Sequence, residues 1–200
     1  CISAKRGDLT AHCCANVAAE HVGEWRDVSL SNSGQAEYSA DLLLRFRPLL
    51  ASNNDYVNHP AFFGLGISAR VKEGCLLLRR LSRGRQRELW MCLAPSSPCS
   101  YDLAPGRVSG RADRSIPATS EEYFLTDPLV TASCHISLAP NETARIRFAL
   151  ALAYCEADAL CAATEILADK RSADLPQTAA TVLGMTTQDI ENAFNMLPDL

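Results

Sequence analysis

A polar and aromatic segment at residues 53–63, with the sequence NNDYVNHPAFF, contains residue types that can do chemistry. His59 titrates near neutral pH, Asp55 adds a carboxylate, and the neighbouring aromatic rings are of the kind that stack on sugars. In a simpler interpretation the segment is a structured connection, in which Asp55 caps a turn, His59 binds a backbone carbonyl and the two phenylalanines enter the core. Both interpretations place it in a loop, where binding residues often lie.

Thiolate and imidazole groups, the usual ligands of zinc, occur as His12-Cys13-Cys14 and Cys134-His135. Adjacent strand residues point to opposite faces, so Cys13 and Cys14 cannot both reach one ion without a bulge. The sequence also contains no C-x-x-C pair. We therefore expect no zinc site. The cysteines, nine in number and mostly beside apolar residues, indicate small buried side chains in a reducing compartment, and a disulfide framework is not expected.

A cluster of positive charge surrounds a predicted hairpin turn and consists of Arg79, Arg80, Arg83, Arg85 and Arg87. Such a cluster could hold phosphate or RNA. Trp90 is the only aromatic residue near it, and the chain as a whole is acidic. We therefore interpret the cluster as a solvated hairpin tip.

Three acidic residues, Glu121, Glu122 and Asp127, could be offered as a carboxylate pair for glycosidic bond cleavage. That chemistry needs two carboxyl groups about 5–9 Å apart across the substrate, and proximity in sequence does not provide this. We interpret them as solvated loop acids. The sequence also has no nucleophile elbow, phosphate-binding loop, dinucleotide fingerprint or zinc-protease motif.

Composition limits the class of protein. The 200 residues are 48% hydrophobic and 21% charged, which is enough for one globular domain or at most two. The formal charge of -4 makes a nucleic-acid partner improbable. No apolar run would span a bilayer, and the N-terminus lacks a signal-peptide core, so we expect a soluble, cytoplasmic protein without membrane contact. Because the first residue is Cys and a strand follows at once, we expect residues 1–200 to be part of a longer polypeptide.

Strict alternation of apolar and polar residues predicts strands at 36–47, 132–138 and 146–152. The last two are separated by the turn residues 139–142 and should form an antiparallel hairpin. Weaker patterns predict strands at 9–18, 22–30, 63–71, 75–81, 87–94 and 99–103. Residues 105–128 have no sustained period and are expected to form a long surface loop. Many short strands with short connections favour an antiparallel β-sandwich.

A helical period begins after Tyr154. It predicts one helix to about residue 170, with an apolar stripe at Ala157, Leu160, Cys161, Thr164, Leu167 and Ala168. A second helix is predicted from a capping pattern at Thr186 and an apolar stripe over 190–197. We expect that stripe to dock on a neighbouring domain.

Six short phrases stand out along the chain: EWRDVSLSN at 24–32, YSADLLL at 38–44, NHPAFFGL at 58–65, RVSGR at 107–111, TDPLV at 126–130 and LAPNETARIRF at 138–148. In order and spacing they resemble the N-terminal β-sandwich domain of the cellobiose and chitobiose phosphorylase family. The resemblance is closest to the phosphorylase-like part of cyclic β-1,2-glucan synthases. The family wording differs at some positions: Asp41 stands where Glu is usual, and Phe63-Gly64 is uncommon.

The resemblance implies a mainly β fold, a galactose-mutarotase-like supersandwich, with a C-terminal helical linker. It implies two parts: a sandwich at 1–154, incomplete at its N-terminus, and a linker at 155–200 that leads to an (α/α)₆ catalytic barrel outside this chain. The parent enzyme is then an inverting glycoside phosphorylase. It would cleave a β-linked glucose oligosaccharide with inorganic phosphate as co-substrate and no other cofactor, as a homo-oligomer.

The family's catalytic acid belongs to the barrel, so no catalytic residue is assigned to this chain. Asp55, His59 and Arg111 are the candidates for loop residues near the substrate rim or an interface, and no metal ligand is expected. Two alternatives remain open. The chain could be an autonomous carbohydrate-binding module, although only 6% of its residues are aromatic, or a plain dimerisation domain.

Overall fold

The computed structural model describes residues 1–51, 57, 66–81, 87–103, 122–125 and 129–168. The strands in these ranges are β1 (Ile2–Arg6), β2 (Leu9–Val17), β3 (Gly23–Asn32), β4 (Tyr38–Phe46), β5 (Ile67–Lys72), β6 (Cys75–Arg80), β7 (Leu89–Pro95), β8 (Ser100–Asp102), β9 (Tyr123–Leu125), β10 (Val130–Leu138) and β11 (Thr143–Ala153). A single helix, α1 (Glu156–Ala168), follows them in the described part.

The strands form two sheets. The large sheet has the order β1-β2-β3-β11-β7-β6-β5-β9, and the small sheet has the order β4-β10-β8. Every described strand pair is antiparallel. The inner faces of the sheets enclose one hydrophobic core, which includes Phe148 and Leu93 from the large sheet and Val130 and Leu138 from the small sheet. This confirms the predicted mainly β, antiparallel sandwich.

The connection between β5 and β6 is a two-residue turn. Glu73 and Gly74 have φ values of 53° and 77°. Positive φ at both central residues is characteristic of a type I′ turn, whose twist matches that of the flanking strands. A Cβ atom at Gly74 would meet nothing within 4 Å, so backbone conformation rather than space favours glycine there.

The predicted hairpin between the strands at 132–138 and 146–152 is wrong. β10 pairs with β4 and β8 in the small sheet, whereas β11 pairs with β3 and β7 in the large sheet. Both strands turn their apolar residues towards the same core, so they face each other across the sandwich instead of lying side by side. The turn between them is an arch. Asn141 has a φ of 62°, and the Glu142 carboxylate accepts a 2.7 Å hydrogen bond from the Ala139 N–H.

A second arch, residues 33–37, leads from β3 to β4, and the buried Asn32 side chain joins the two arches. Its Nδ2 donates to the carbonyl oxygens of Ala36 at 2.8 Å, Ala139 at 3.2 Å and Leu138 at 3.3 Å. Its Oδ1 accepts from the Gly34 N–H at 3.0 Å. One buried amide therefore satisfies backbone groups on both sheet-to-sheet connections, which would otherwise be costly to bury.

Disulfide bonds correct the expectation that the cysteines are reduced. Cys1 is bonded to Cys14, and Cys99 is bonded to Cys134. In each bond one cysteine lies immediately before a strand, Cys1 before β1 and Cys99 before β8, and its partner lies on the neighbouring antiparallel strand, with Cα atoms 4.1 and 4.5 Å apart. Such pairs bring side chains close together, but they are recognisable only when the strand register is known.

Helix α1 covers part of the outer face of the large sheet, and its buried stripe differs from the predicted one. Ala159, Ala162, Ala163 and Ile166 are buried, whereas Cys161 and Thr164 are exposed. The contact needs small side chains, because a Cβ atom at Gly23 on the sheet would lie 2.7 Å from Ile166 Cδ1. The larger apolar residues, which suggested the other face, lie at the margin of this contact.

The predicted long loop at 105–128 contains a short strand. β9 pairs with β5, but three residues are too few for a period to be recognised. Most of the loop and the predicted second helix lie outside the described residues. Within the described part, no helix has the length and apolar character needed to cross a membrane.

Candidate functional site

The predicted site residues Asp55, His59 and Arg111 lie outside the described residues, as do Arg83, Arg85, Glu121 and Asp127. Val57 is the only described residue of the segment at 53–63, and it is 66% exposed. The substrate-rim prediction therefore stays a prediction.

The outer face of the large sheet is the described surface with the most distinct chemistry. Helix α1 covers one half of this face and leaves the other half uncovered. Beneath the helix the sheet presents small or apolar residues, with Ala149 and Ala151 from β11 and Cys92 and Ala94 from β7. Beyond the helix the same strands present charged and polar residues. β11 thus changes from Arg145 and Arg147 to alanines along one face.

An open groove of about 400 Å³ lies in the half that the helix leaves uncovered. It runs across β2, β3 and β11 and is lined by His12, Cys14, Asp27, Val28, Ser29, Ser96, Arg145, Ile146 and Arg147. We call this surface the outer groove.

Arg147 organises the outer groove. Its Nε and Nη2 donate to the two carboxylate oxygens of Asp27 at 2.6 and 2.8 Å. Its guanidinium carbon lies 5.5 Å from the centre of the Trp25 ring, while its backbone N–H donates to Ser96 Oγ at 2.8 Å. A two-point ion pair stacked on an aromatic ring holds the guanidinium in one orientation. Trp25 is itself buried, so Arg147 covers this ring at the margin of the half that lies beneath the helix.

Arg145 and His12 are exposed polar side chains of the outer groove. Arg145 is exposed and has no ion-pair partner among the described residues. A hydrogen bond of 2.6 Å joins His12 Nδ1 to Ser3 Oγ. The groove can therefore contact hydroxyl or anionic groups. Its one carboxylate, Asp27, is already engaged by Arg147 and has no second acid opposite it in the described residues that line the groove.

A matching arrangement surrounds Trp90 on the other side of α1. The guanidinium carbons of Arg70 and Arg79 lie 5.6 and 5.4 Å from the ring centre. Arg70 also forms an ion pair with Glu156 in the first turn of α1. Arg79 donates to Glu88 at 2.5 and 3.2 Å and forms a further pair, at 3.4 Å, with Glu122. The guanidinium of Arg79 lowers the pKa of the Glu88 carboxyl group.

This arrangement corrects two predictions made from charge alone. Arg79 and Arg80 are not part of a solvated tip: Arg79 is stacked and ion-paired, and Arg80 is only 8% exposed. Glu122 is not a free loop acid, because it accepts hydrogen bonds from Ser68 and Arg79. The signal was Trp90, which lies directly opposite Arg79 on the adjacent strand.

A hydrogen-bonded Ser–His–Asp series lies on the outer face of the small sheet. His135 Nδ1 is 2.9 Å from Asp41 Oδ1, and His135 Nε2 is 3.2 Å from Ser39 Oγ. These contacts have the connectivity of a nucleophile, a base and an orienting acid. However, the His135 and Asp41 side chains are 69% and 60% exposed, and neither lines the outer groove. We assign no catalysis to the series.

The groups considered as zinc ligands are separated. His12 and His135 belong to different sheets, and Cys14 and Cys134 are in disulfide bonds. In the described part of the chain, no cluster of three or more His, Cys, Asp or Glu side chains could hold a metal ion.

Comparison with known proteins identifies the family. Residues 1–172 match the family model described as glycosyl hydrolase 94, supersandwich domain. The chain belongs to this family. The recognition of a cellobiose and chitobiose phosphorylase-type sandwich from the sequence is thereby confirmed.

Among solved structures, a putative kojibiose phosphorylase from human microbiome is similar to this supersandwich domain. The two are 10% identical, with a TM-score of 0.49, and the match covers 92% of this chain but 21% of the other. The chain thus spans about a fifth of the length of that protein. No curated protein matches.

Two of the family-like phrases in this supersandwich domain have a structural explanation. The phrase at 24–32 ends with Asn32, which joins the two arches. The phrase at 138–148 contains Asn141, whose φ of 62° is one that asparagine tolerates better than most residues. Both phrases therefore maintain the connections between sheets.

Proposed function

We propose that this chain is a non-catalytic sandwich domain of a carbohydrate-active enzyme that resembles inverting glycoside phosphorylases and β-glucan synthases. The match of residues 1–172 to the glycosyl hydrolase 94 supersandwich carries the proposal. The phrases shared with cyclic β-1,2-glucan synthases favour a parent that handles β-linked glucose oligosaccharides.

In the proposed parent, a carboxylic acid protonates the leaving glycosidic oxygen while inorganic phosphate attacks the anomeric carbon from the opposite face. The product is a sugar 1-phosphate with inverted configuration, and phosphate takes the place that water has in inverting hydrolysis. The acid would be supplied by a helical barrel, to which residues 155–200 would lead. The sandwich would support that barrel and add loops to the rim of the sugar site, with Asp55, His59 and Arg111 as the candidates.

Two of the described acidic groups support a non-catalytic role. Asp27 is held by Arg147, and Glu122 is held by Arg79 and Ser68. Both carboxylates are thus engaged in structural contacts. A general acid must instead reach a leaving oxygen within hydrogen-bonding distance.

The alternative, an autonomous carbohydrate-binding module, is less well supported. Such modules stack sugar rings on exposed aromatic faces. Both tryptophans of the chain are buried: Trp25 is 3% exposed and Trp90 is 8% exposed. Both already contact arginine side chains.

Localisation in the cytoplasm stays a prediction. The two disulfide bonds weigh against it, because disulfides persist mainly in oxidising compartments. Labelling free thiols before and after reduction, in protein taken directly from its source cells, would show whether the four bonded cysteines are oxidised there.

The function is tested in two steps. The coding sequence after codon 200 should continue into a helical barrel, and the resulting polypeptide should release sugar 1-phosphate from β-linked glucose oligosaccharides only when phosphate is present. The 200-residue chain alone should release none. A reading frame that closes at Leu200, or sugar 1-phosphate release by this chain alone, would refute the proposal.

A further inference from the structure

The outer groove contains a row of three residues in which a short side chain lies between two long ones. In the strand register, Ser29 of β3 lies directly opposite both His12 of β2 and Arg145 of β11. His12 and Arg145 are exposed, whereas Ser29 between them is half-buried. All three line the groove, and every other residue that lines it also belongs to the described part of the chain. We call these three residues the groove row.

The outer face around the groove row carries an excess of positive charge. By the register of the described strands β1, β2, β3 and β11, Asp27 is the one acidic residue that they present on this face. Both of its carboxylate oxygens accept hydrogen bonds from Arg147, so its charge is neutralised. Arg145 and Lys5 add positive charge to the same face. Although the whole chain has a formal charge of -4, this face would attract an anion.

The groove row offers hydrogen-bond donors that the protein does not use. In the described part of the chain, neither the Arg145 guanidinium nor the Ser29 hydroxyl group forms a hydrogen bond or an ion pair. Ser96 Oγ, which also lines the groove, accepts from the Arg147 N–H and keeps its own proton available. An arginine carries five N–H donors and a serine hydroxyl group carries one. The ligand that fits such a surface is rich in acceptors, as an anion is.

The size of the groove and the residues beside the row indicate a ligand larger than a simple anion. The volume of about 400 Å³ lies in the range of sites for small organic molecules. Next to the groove row, the register places Thr10, Ser31 and Thr143 side by side, and Ser31 Oγ lies 2.8 Å from Thr143 Oγ1. Hydroxyl side chains both donate and accept hydrogen bonds, as the hydroxyl groups of a sugar do. A ligand that carries an anionic group and several hydroxyl groups would match both rows.

We propose that the outer groove binds a phosphorylated sugar. The phosphate group lies between Arg145 and His12 and over Ser29, where the guanidinium can donate two parallel hydrogen bonds to phosphate oxygens. The sugar hydroxyl groups contact the adjacent row of hydroxyl side chains. Binding depends on charge rather than on stacking, because the nearby Trp25 ring is already covered by Arg147. A neutral sugar therefore binds weakly.

This inference rests on the proposed function in one respect: the parent would release a sugar 1-phosphate, which makes glucose 1-phosphate the ligand to test. The groove would then bind the class of compound that the reaction produces, on a domain to which no catalytic residue is assigned. Binding is measured on the 200-residue chain, whereas the proposed function is tested by phosphorolysis in the longer polypeptide. Binding without phosphorolysis and phosphorolysis without binding can each be observed, so the two failures are distinguishable.

The test is calorimetric titration of the purified 200-residue chain with glucose 1-phosphate, at low ionic strength because salt screens exposed charges. We expect saturable binding at one site. Inorganic phosphate and glucose each supply only one of the two kinds of contact, and each should bind at least about tenfold more weakly. The absence of saturable binding at millimolar concentrations would overturn the proposal. So would equal affinity for glucose, or equal affinity for inorganic phosphate, which would indicate an adventitious ion only.

Three variants locate the site. Arg145→Met removes the guanidinium of the groove row and should raise the dissociation constant of glucose 1-phosphate at least about tenfold. The matched control Arg45→Met removes the same charge from an exposed position on the small sheet and should change that constant by less than about twofold. Ser29→Val keeps the charge but narrows the space between His12 and Arg145, so it should also weaken binding.

Equal effects of Arg145→Met and Arg45→Met would show that only the net charge of the chain matters, and they would overturn the proposal. Unchanged affinity in Arg145→Met would overturn it as well. Circular dichroism of each variant would show that it remains folded.

Discussion

The two halves of the large sheet's outer face are built from the same strands but have different chemistry. On β11, Arg145 and Arg147 lie in the outer groove, and Ala149 and Ala151 lie beneath α1. On β3, Asp27 lies in the outer groove and Trp25 under the helix. The composition of a strand face therefore changes at the point where the helix begins to cover it.

The boundary between the two halves is marked by aromatic residues capped by arginines. Trp25 contacts Arg147 on one side of the helix, while Trp90 contacts Arg70 and Arg79 on the other. Each ring packs its buried side with apolar residues and its outer side with a guanidinium, which tolerates both solvent and an aromatic face. The same contact between a tryptophan ring and an arginine side chain thus occurs at both margins of the helix contact.

The largest expected effect comes from filling the close contact beneath the helix. In Gly23→Ala, the new Cβ would lie 2.4 Å from the Leu150 carbonyl oxygen and 2.7 Å from Ile166 Cδ1. Because the first clash is with backbone, side-chain rotation cannot relieve it, and we expect a loss of about 3 kcal/mol in unfolding free energy. Denaturant unfolding would measure it.

Gly7→Ala is the matched control for that change. Gly7 has a φ of 59°, but a Cβ atom there would meet nothing within 4 Å. Only the backbone conformation is unfavourable, so the loss should be about 1 kcal/mol. Equal losses in the two variants would show that the helix is not packed closely against β3.

A smaller effect is expected at the edge of the outer groove. Arg147→Met removes the ion pair with Asp27 and the contact with Trp25, and it should cost about 1–2 kcal/mol, since Asp27 is 43% exposed and solvent screens the pair. Arg145→Met, two residues earlier on the same face, should change stability by less than about 0.5 kcal/mol. Comparable losses would contradict the organising role of Arg147.

The margin near Trp90 should respond to pH. Arg79 lowers the pKa of Glu88 from its usual value of 4.5, so the ionised pair stabilises the fold above that pH. This contribution is lost as the pH falls through the lowered pKa. Unfolding measured from neutral to acidic pH should show a stability difference between the unmodified chain and Glu88→Gln that shrinks below about pH 4.5. A difference independent of pH would rule out the ion pair as its cause.

The smallest effect concerns the reactivity of thiols on the two sides of α1. Cys92, beneath the helix, is fully buried and should resist alkylation until the protein unfolds. Cys161 is exposed, but the neighbouring Glu165 raises its pKa. Glu165→Gln should therefore speed iodoacetamide labelling of Cys161 a few-fold near neutral pH, as read by peptide mass spectrometry. An unchanged rate would show that Glu165 does not control this thiol.

The strands could be predicted because each has one buried face, which alternation reports directly. β4 and β10 are examples: predicted at 36–47 and 132–138, they occur at Tyr38–Phe46 and Val130–Leu138. The pairing of β10 with β11 could not be predicted, since strands on facing sheets and strands in one hairpin alternate in the same way. The buried face of α1 was mispredicted for a related reason: size suggested leucines, whereas the close contact required alanines.

The candidate site shows the same limit. The arginines and tryptophans are visible in the sequence, but their contacts join residues as distant as Asp27 and Arg147, which only the pairing of β3 with β11 brings together. The disulfide bonds depend on register in the same way.

The sequence by itself determined the class of fold and the family, because alternation and short phrases are local properties that a single strand or turn carries. The tertiary structure alone decided which strands share a sheet, which cysteines are bonded and which side of the helix is buried. These depend on contacts between segments far apart in the chain, and no local pattern records them.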